Sequence, residues 1–494
     1  MTQIAAVIAA GNADETERQA RAALRKGADL VELRIDALPH PNPGDLRRLA
    51  SALGAHAIAT LRSPAQGGSR GPEGGARHAL LQEMCRLGFR YVDVELETDT
   101  AHIEAYGKAA SKHHQDVIVS HHFDKPVEVS DAADALEACI GLGDVGKVAL
   151  PVADVDHAAQ FVELARNQGL QSRRFVLIGM GAAGMLTRAL AEDVKQEIQY
   201  AAGNRATAPG QFALETATRL KGKEPFVLGL VGHPLAHSIS PQIHEAALEA
   251  LHLPGVYLPF DVEGPSLETL LRAPERLKLR GFNVTIPHKE AVAELMDELD
   301  GDAEALGAVN TVVLENEWAK GHNTDVFGFR VSLRTLGLRL GERKALVVGA
   351  GGAAKAVVHV LLREGARVQV TNRTPARADA LADAFDETVE VVPLEELADE
   401  GPWDLLVNAT PVGTSGLEPG LPVEEPVVKR AKFVYDLVYN PPETPLLQVA
   451  RRLQIRGTSG LEMLLHQAAK SFELWTGRSA PVDAMRRAAK EALG

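Results

Sequence analysis

The chain has 494 residues, of which 45% are hydrophobic and 24% are charged, and its formal net charge is −14. One hydrophobic core does not grow to this length, so we expect two or three domains. The negative charge and the 4% aromatic content argue against a nucleic-acid partner, which needs clustered positive charge and stacking side chains.

The cysteines and the apolar runs indicate where the protein works. Only Cys85 and Cys139 are present, in no metal-binding spacing, which suits a reducing compartment and predicts neither a metal site nor a disulfide scaffold. The first residues lack a basic leader, and no apolar run approaches membrane-spanning length. We therefore expect a cytoplasmic protein without a membrane partner.

Eight short apolar segments, with helical patterns between most of them, precede residue 221. The candidate strands are IAAVIA, ADLVELRID, HAIATLR, YVDVELE, VIVSHHF, GKVALPV, FVLIGMG and a weaker last segment near ATAPGQF (206–212). Eight strand–helix alternations in this length are typical of a (β/α)8 barrel. A doubly wound sheet is the alternative, but it would leave the eighth strand without a natural place.

Polar residues fall inside these strands or at their carboxyl ends. They are Glu32, Arg34, Asp36, Arg62, Glu95, His122 and Lys147. Charges aimed into a barrel are costly unless paired, so their clustering indicates a site. Lys147 lies among apolar neighbours in GKVALPV, which would disfavour its ammonium and give a nucleophilic amine suited to a Schiff base. Taken alone, Lys147 could equally be a snorkelling lysine and His122 a core histidine.

Six motifs in order, VELRID, TLRS, Ser-x-His, GKVAL, GMGAAGMLTR and ATAPGQ, resemble type I 3-dehydroquinate dehydratase over residues 1–221. The resemblance implies that Lys147 forms an imine with the substrate ketone and that His122 moves the proton. It assigns substrate contacts to Glu32, Arg34, Arg62, Arg188, Thr207 and Gln211.

Three positions depart from the family pattern. Gln66 stands where a glutamate usually helps to hold the histidine, and Thr207 stands where serine is common. The strand end reads Ser120-His121-His122-Phe123, without the acidic or amide residue that often follows the histidine. Successive strand residues point to opposite faces, so only one histidine can face the barrel, and we favour His122.

A polar break at residues 221–225, followed by the strand candidate FVLGLVG, marks a boundary. It could be a loop within one large domain, but no motif crosses it. We expect a substrate-binding domain over residues 225–335, completed by residues 460–494, and a nucleotide-binding domain over residues 336–459. The whole chain is predicted to be α/β: a (β/α)8 barrel followed by a two-domain dehydrogenase with a Rossmann domain.

Polar residues also mark the predicted substrate-binding domain. Ser238 and Ser240 lie in an irregular loop before a helix, and GFNVTIPHKEAV supplies Asn283, Thr285 and Lys289. GAVNTVV and GHNTDVFGF then add Asn310 and Asp325.

The stretch KALVVGAGGAAKAVVHVLLREG reads as a buried strand, a glycine turn and a helix, which is the pattern of a dinucleotide site. The next strand ends at Asn372-Arg373-Thr374, with Arg377 following. An NAD site usually places a carboxylate there, whereas arginines fit a 2′-phosphate, so the sequence favours NADP(H). These arginines could also be merely solvated. The full set of predicted cofactor contacts is Gly349, Ala350, Gly351, Gly352, Ala353, Asn372, Arg373, Thr374, Arg377, Thr410 and Gly460.

Together with DLVYNPPETPLL and GLEMLLHQA, these motifs resemble shikimate dehydrogenase over residues 225–494. The resemblance implies that Lys289 and Asp325 are the acid–base pair of a ketone reduction. It assigns substrate contacts to Ser238, Ser240, Asn283, Thr285, Asn310, Tyr439 and Gln467. Lys355 stands where the family often has arginine, but the charge is kept.

The two resemblances imply consecutive steps towards shikimate, because the product of the first is the substrate of the second. Two alternatives remain open: a non-catalytic barrel beside an active reductase, and a reductase that prefers quinate or NAD. The oligomeric state is not predicted.

Overall fold

The computed structural model describes residues 1–69, 71–98, 100–235, 238–262, 267–272, 274–316, 318–385 and 388–494. By packing, the chain forms two compact units. The first contains Met1–Gly229 and His252–Leu279, and the second contains Leu230–Leu251 and Arg280–Gly494. The sequence-based domain boundaries remain a prediction. Within the described ranges, none of the helices combines the length and hydropathy that crossing a bilayer requires.

The first half alternates strands and helices. In chain order it contains β1 (Gln3–Ile8), α1 (Ala13–Arg25), β2 (Leu30–Arg34), α2 (Pro43–Leu53), β3 (Ala57–Thr60), α3 (Gly74–Met84), β4 (Tyr91–Glu95), α4 (Thr100–Ser111), β5 (Asp116–His122), α5 (Val129–Leu142), β6 (Val145–Pro151), α6 (Val155–Arg166), α7 (Gln168–Gln171), β7 (Phe175–Met180), α8 (Met185–Ala189), β8 (Ile198–Ala202) and α9 (Leu214–Leu220).

The eight strands form one parallel sheet in the order β7-β6-β5-β4-β3-β2-β1-β8. Glu197 N donates to Phe175 O at 2.9 Å, which links the residue before β8 to β7 and brings the two ends of the sheet together. The predicted barrel is confirmed.

The position of the eighth strand was predicted wrongly. β8 is Ile198–Ala202, and residues 206–212, proposed as the last strand, form the loop that follows it. Pro209 has no N–H to pair in a sheet, and Gly210 has a φ of 73°, which breaks an extended run.

Strand periodicity explains why the site lies inside this barrel. The inward-facing residues near the starts of five neighbouring strands are apolar and form a buried core, namely Leu30, Ile58, Tyr91, Ile118 and Val145. Two positions further on, the same faces carry buried polar side chains, namely Glu32, Thr60, Asp93, Ser120 and Lys147. Because side chains on one face recur every second residue, these five polar groups share one layer above the apolar core.

The rest of the chain forms two further sheets. In chain order it contains β9 (Phe226–Gly232), α10 (Ser240–Ala250), β10 (Gly255–Asp261), α11 (Leu267–Arg272), β11 (Leu279–Val284), α12 (Lys289–Ala293), β12 (Glu298–Leu299), α13 (Gly301–Leu306), β13 (Thr311–Glu315), β14 (Trp318–His322), α14 (Thr324–Thr335), β15 (Lys344–Val348), α15 (Gly352–Arg363), β16 (Arg367–Thr371), α16 (Pro375–Asp383), β17 (Val389–Val391), β18 (Leu405–Asn408), α17 (Glu425–Val428), β19 (Phe433–Asp436), α18 (Pro445–Arg452), β20 (Arg456–Ser459), α19 (Leu461–Thr476) and α20 (Val482–Leu493). The sheet orders are β10-β9-β11-β13-β14-β12 and β17-β16-β15-β18-β19-β20.

The second of these sheets is parallel throughout and has apolar cores on both faces. β15 lies between β16 and β18, so the strand order reverses at its carboxyl end, where Rossmann folds bind their ligands. The predicted Rossmann fold is confirmed. Within the second unit, α20 packs on α10 and α19 packs on α14.

Candidate active sites

Lys147 occupies the centre of the barrel and is 3% exposed. Its Nζ lies 3.1 Å from Asp93 Oδ2 and 3.5 Å from Glu32 Oε1. The Tyr200 ring centre is 4.1 Å from the same nitrogen. The expectation of apolar surroundings for Lys147 is therefore wrong. Its sequence neighbours are apolar, but strand pairing brings the polar layer of adjacent strands against its ammonium.

Asp93 forms hydrogen bonds with several residues of this site. It was not among the residues predicted from the sequence. Its Oδ1 accepts from Arg62 Nη2 at 2.9 Å and from Ser120 Oγ at 2.7 Å. Burial raises the pKa of its carboxyl, but the cations of Arg62 and Lys147 outweigh burial and hold that pKa well below its usual value. Asp93 is therefore a carboxylate at neutral pH. We call Lys147, Asp93, Glu32, Arg62 and Ser120 the lysine cluster.

His122 lies at the end of β5, beside the lysine cluster. Loss of hydration and the nearby cations of Arg62 and Lys147 hold the pKa of its imidazole well below the usual value, although the charge of Asp93 opposes them. Its Nδ1 is 3.2 Å from Gln66 Oε1. The neighbouring His121 instead pairs through Nδ1 with Glu97. Of the two histidines, His122 is the one that faces the cluster.

Two arginines of the predicted substrate set differ in their partners. Arg34 forms a two-pronged ion pair with Asp36, at 2.9 and 2.8 Å. Arg188 donates to two backbone carbonyls, with Nε 3.3 Å from Gly179 O and Nη1 3.3 Å from Tyr200 O. Burial lowers the pKa of Arg188 to about 10, so it stays charged at neutral pH. Among the residues described, no carboxylate pairs with Arg188, and an incoming carboxylate could take that place.

Thr207 and Gln211 lie on the loop after β8 and are half-buried. Gln211 Oε1 accepts from Thr207 N at 2.9 Å and from Thr207 Oγ1 at 3.2 Å. The structure therefore joins these two predicted residues to each other, and both keep part of their surface free to meet a ligand.

In the second unit, Lys289 and Asp325 form the pair predicted from the sequence. Lys289 Nζ is 2.6 Å from Asp325 Oδ2, and both side chains keep some exposure, 17% and 11%. Asn310 Nδ2 donates to Asp325 Oδ1 at 2.9 Å and holds the carboxylate. A Cβ atom at Gly352 would lie 3.5 Å from Lys289 Cδ, so the glycine turn is next to the pair.

A buried network of hydroxyls supports these residues. Ser471 Oγ lies 2.8 Å from Thr311 Oγ1 and 3.1 Å from Thr324 Oγ1. Asn283 Nδ2 donates to Ser471 Oγ at 3.0 Å, and Gln467 Oε1 accepts from Asn310 Nδ2 at 3.3 Å. None of the three hydroxyl residues was predicted from the sequence. They come from β13, α14 and α19, which no local spacing connects.

The remaining predicted substrate residues lie near the ends of β9 and β11. Ser240 begins α10, and its N–H is 3.3 Å from Ser238 Oγ. Thr285 N donates to Val231 O at 2.8 Å. The phenol of Tyr439 forms a hydrogen bond with the backbone of Ile239, the residue between the two serines. Burial raises the pKa of Tyr439, and this hydrogen bond opposes the rise.

The nucleotide turn follows β15. Gly349 has a φ of 116°, and a Cβ atom there would lie 3.0 Å from Ala409 O, so the position needs glycine. Among the described residues, no atom lies within 4 Å of a Cβ atom at Gly351, the residue before α15. Ala350 lies in the same turn and Ala353 in the first turn of α15, and both are half-buried. Open backbone at the start of a 12-residue helix fits a pyrophosphate.

Two further predicted cofactor residues follow other strands of the same sheet, β18 and β20. Thr410 Oγ1 donates to Asn408 Oδ1 at 2.6 Å, after β18. A Cβ atom at Gly460 would lie 2.1 Å from Leu437 O, so close packing before α19 requires glycine.

The predicted 2′-phosphate residues follow β16. Asn372 Nδ2 donates to Thr374 O at 2.9 Å, and Arg377 is exposed in the first turn of α16. Arg373 Nη1 pairs with Glu418 Oε1 at 2.7 Å and is 81% exposed. Glu418, which was not predicted from the sequence, therefore pairs with the guanidinium that a 2′-phosphate would need.

The chain matches known families over most of its length. Residues 4–221 match the type I 3-dehydroquinase family. Residues 230–312 match the shikimate dehydrogenase substrate binding domain, residues 331–414 match shikimate / quinate 5-dehydrogenase, and residues 460–490 match the shikimate 5′-dehydrogenase C-terminal domain.

Relatives and solved structures agree with these matches. The shikimate dehydrogenase (NADP(+)) of Caldanaerobacter subterraneus subsp. tengcongensis is 46% identical over 256 residues, covering 51% of this chain and 91% of that protein. A quinate dehydrogenase from Corynebacterium glutamicum, solved with NAD, superposes with a TM-score of 0.51 at 36% identity and covers 54% of this chain and 100% of that one.

A solved dehydroquinate dehydratase and shikimate dehydrogenase from S. pombe covers 99% of this chain and 98% of its own, at 26% identity and a TM-score of 0.45. The family matches already account for both halves of the chain. The chain belongs to the shikimate dehydrogenase family, and it carries a type I 3-dehydroquinase domain ahead of the dehydrogenase, so that a lyase and an oxidoreductase are joined in one polypeptide.

Proposed function

We propose that the barrel dehydrates 3-dehydroquinate to 3-dehydroshikimate through an imine on Lys147, and that the second unit reduces this product to shikimate with NADPH. The observation that carries the proposal is the contact of Lys147 Nζ with Asp93 and Glu32 in one buried layer, with the half-buried His122 beside them. The product of the first reaction is the substrate of the second, so the fused chain would catalyse two consecutive steps.

The dehydration begins with attack of the Lys147 amine on the substrate ketone. Only a neutral amine attacks, so the Lys147 ammonium first passes a proton to Glu32, whose Oε1 lies 3.5 Å from Nζ, and this proton later leaves with the carbinolamine hydroxyl as water. The Asp93 carboxylate, at 3.1 Å, is placed to stabilise the cationic iminium that forms. Loss of water gives an iminium, which acidifies the neighbouring C–H bond because the nitrogen accepts the electron pair.

His122 then removes the proton from that carbon. Its depressed pKa keeps the imidazole neutral, which is the form that a base requires. The imidazolium next protonates the departing hydroxyl, so the proton taken from carbon leaves in water. Arg188, charged and without a described carboxylate partner, fits the substrate carboxylate. Hydrolysis of the imine releases the product and restores Lys147.

In the reductase site, Lys289 and Asp325 are placed to protonate the oxygen of the substrate ketone as it is reduced. Bound NADPH would provide the hydride to the ketone carbon. Lys289 and Asp325, joined at 2.6 Å, would give the developing alkoxide its proton. The surrounding amides and hydroxyls, anchored by Asn310 and Gln467, suit a small polyol acid that must be held by directional hydrogen bonds.

NADPH is proposed because of the residues after β16. Arg373 and Arg377 present two guanidinium groups where an NAD site would have a carboxylate. Gly349 allows the tight turn, and Gly351 leaves the backbone open for the pyrophosphate. The shikimate dehydrogenase of Caldanaerobacter, named for NADP(+), supports the same choice.

Borohydride trapping tests the imine directly. Incubation with 3-dehydroshikimate and borohydride should add the reduced ligand mass to the peptide that contains Lys147, and Lys147→Ala should show no adduct. An unmodified wild-type peptide would contradict the proposal.

The second candidate is an active reductase beside a non-catalytic barrel. Its only support is Gln66 in place of a glutamate, and Gln66 still contacts His122. A quinate dehydrogenase among the similar structures keeps quinate as an alternative substrate. Comparing kcat/KM for shikimate and quinate, with NADP and with NAD, separates these possibilities.

A further inference from the structure

Gln66 makes three contacts that fix the orientation of its side-chain amide. Its Oε1 is 3.2 Å from His122 Nδ1 and 3.5 Å from Arg62 Nη1, and its Nε2 donates to Glu97 Oε2. A carboxylate can only accept a hydrogen bond, so Glu97 must face the amide nitrogen. The amide oxygen is then turned towards His122, where the guanidinium of Arg62 also favours an acceptor.

Glu97 lies two residues after the end of β4 and is ionised. Burial raises the pKa of its carboxyl, but hydrogen bonds from His121, its own backbone and Gln66 outweigh burial and lower it. Its Oε1 pairs with His121 Nδ1, and its side chain is 50% exposed. In the described hydrogen bonds, Glu97 reaches His122 only through Gln66.

This chain of contacts decides which nitrogen of His122 carries the proton. An acceptor oxygen at Nδ1 requires an N–H there, which leaves the Nε2 lone pair free to act as the base. An amide that rotated by half a turn would present its NH2 group to Nδ1 and favour the opposite tautomer. A glutamate at position 66 could not favour the opposite tautomer in this way, because both of its carboxylate oxygens accept hydrogen bonds.

We infer that Glu97 is a positioning residue for the dehydration: by holding the Gln66 amide, it fixes His122 in the tautomer with the proton on Nδ1. The inference rests on the proposed function of the barrel. It explains how this chain keeps a competent histidine without the glutamate that the family usually has at position 66. The contacts assign to Gln66 and Glu97 together what a single carboxylate would do.

The test is a set of barrel variants assayed for both activities. Glu97→Ala should lower kcat for dehydration about tenfold, the value of one charge-assisted hydrogen bond, and should leave KM within about twofold. Glu97→Ala combined with Gln66→Glu should recover most of this loss, because the new carboxylate accepts directly from Nδ1. Glu104→Ala, on the exposed face of α4, is the matched control and should change neither activity.

Nitrogen NMR of labelled histidine gives a readout that folding alone does not move. In the wild-type protein His122 should be protonated on Nδ1, and in Glu97→Ala a population protonated on Nε2 should appear. A wild-type spectrum with the proton on Nε2 overturns the inference even if Glu97→Ala does not fold. An unchanged kcat in Glu97→Ala, or a loss that Gln66→Glu does not repair, also overturns it. A wild-type barrel with no dehydratase activity would instead reject the proposed function itself.

Discussion

The Lys147 ammonium is held 3.1 Å from the Asp93 carboxylate, and both side chains are almost fully buried. The second oxygen of Asp93 binds Arg62 and Ser120, so this carboxylate is the nearest anionic partner of two cations inside the barrel. Asp93 is therefore expected to be essential both for the charge balance of the site and for the stability of the barrel.

Asp93→Asn removes this charge while keeping the shape of the side chain. It should destabilise the barrel by roughly 3 kcal/mol, because a buried ion pair is broken and both Lys147 and Arg62 lose their nearest carboxylate. Dehydration should become about a hundredfold slower, and reduction should be unaffected. Thermal unfolding followed by separate assays of the two reactions checks this. Asp116→Asn, at the opposite end of the barrel where Asp116 binds Arg90 and Arg174, should cost stability but keep dehydratase activity.

The pH dependence of dehydration should reflect the depressed pKa of His122. A base acts in its neutral form, and a pKa well below the usual 6.5 means that protonation inactivates the ring only at lower pH. The acidic limb of kcat/KM with 3-dehydroquinate should therefore have its midpoint below pH 6.5. A midpoint at or above that value, accompanied by titration of the His122 ring nitrogens in NMR, would show that burial and the neighbouring cations do not control this group.

Asp325→Asn should disable reduction alone. The carboxylate that pairs with Lys289 is lost, while the amide can still accept from Asn310. We expect kcat for 3-dehydroshikimate to fall about a hundredfold, the usual scale for removing one acid–base group. Asp302→Asn, which breaks an ion pair with Arg363 on the same unit, is the control and should retain the rate. Loss of dehydratase activity in Asp325→Asn would argue against independent sites.

Arg373 and Glu418 should have opposite effects on the choice of cofactor. Arg373→Ala should raise KM for NADPH much more than KM for NADH, since only NADPH carries the 2′-phosphate. Glu418→Gln frees the guanidinium from its 2.7 Å partner and should lower KM for NADPH by about two- to fivefold, the range for an exposed ion pair. Equal changes in KM for NADPH and NADH in either variant would mean that Arg373 does not bind the 2′-phosphate.

Local sequence patterns were sufficient for much of this protein. Strand periodicity and the glycine turn predicted the barrel and the Rossmann fold, because both depend on repeats that neighbouring residues encode. The eighth strand was misplaced, since a Pro-Gly loop next to the short segment Ile198–Ala202 carried the more familiar motif. Asp93 could have been found: it shares a strand face with Glu95, two residues later, which was identified.

Other parts of the sites had no local signal. Ser471 reaches Thr311 from a helix 160 positions away in the chain, and Glu418 reaches Arg373 across 45 positions. Ordinary hydroxyl and acidic residues become part of a site only when tertiary packing brings them together. The environment of Lys147 was misjudged for the same reason, because its partners belong to other strands.

A coupled assay that starts from 3-dehydroquinate and NADPH tests the central claim most directly. The wild-type protein should oxidise NADPH and form shikimate in equal amounts. Lys147→Ala should fail in this assay yet reduce added 3-dehydroshikimate, and mixing it with Asp325→Asn should restore shikimate formation. If the wild-type protein reduced 3-dehydroshikimate but formed no shikimate from 3-dehydroquinate, or if either substitution abolished both reactions, the account of two independent and consecutive active sites would be contradicted.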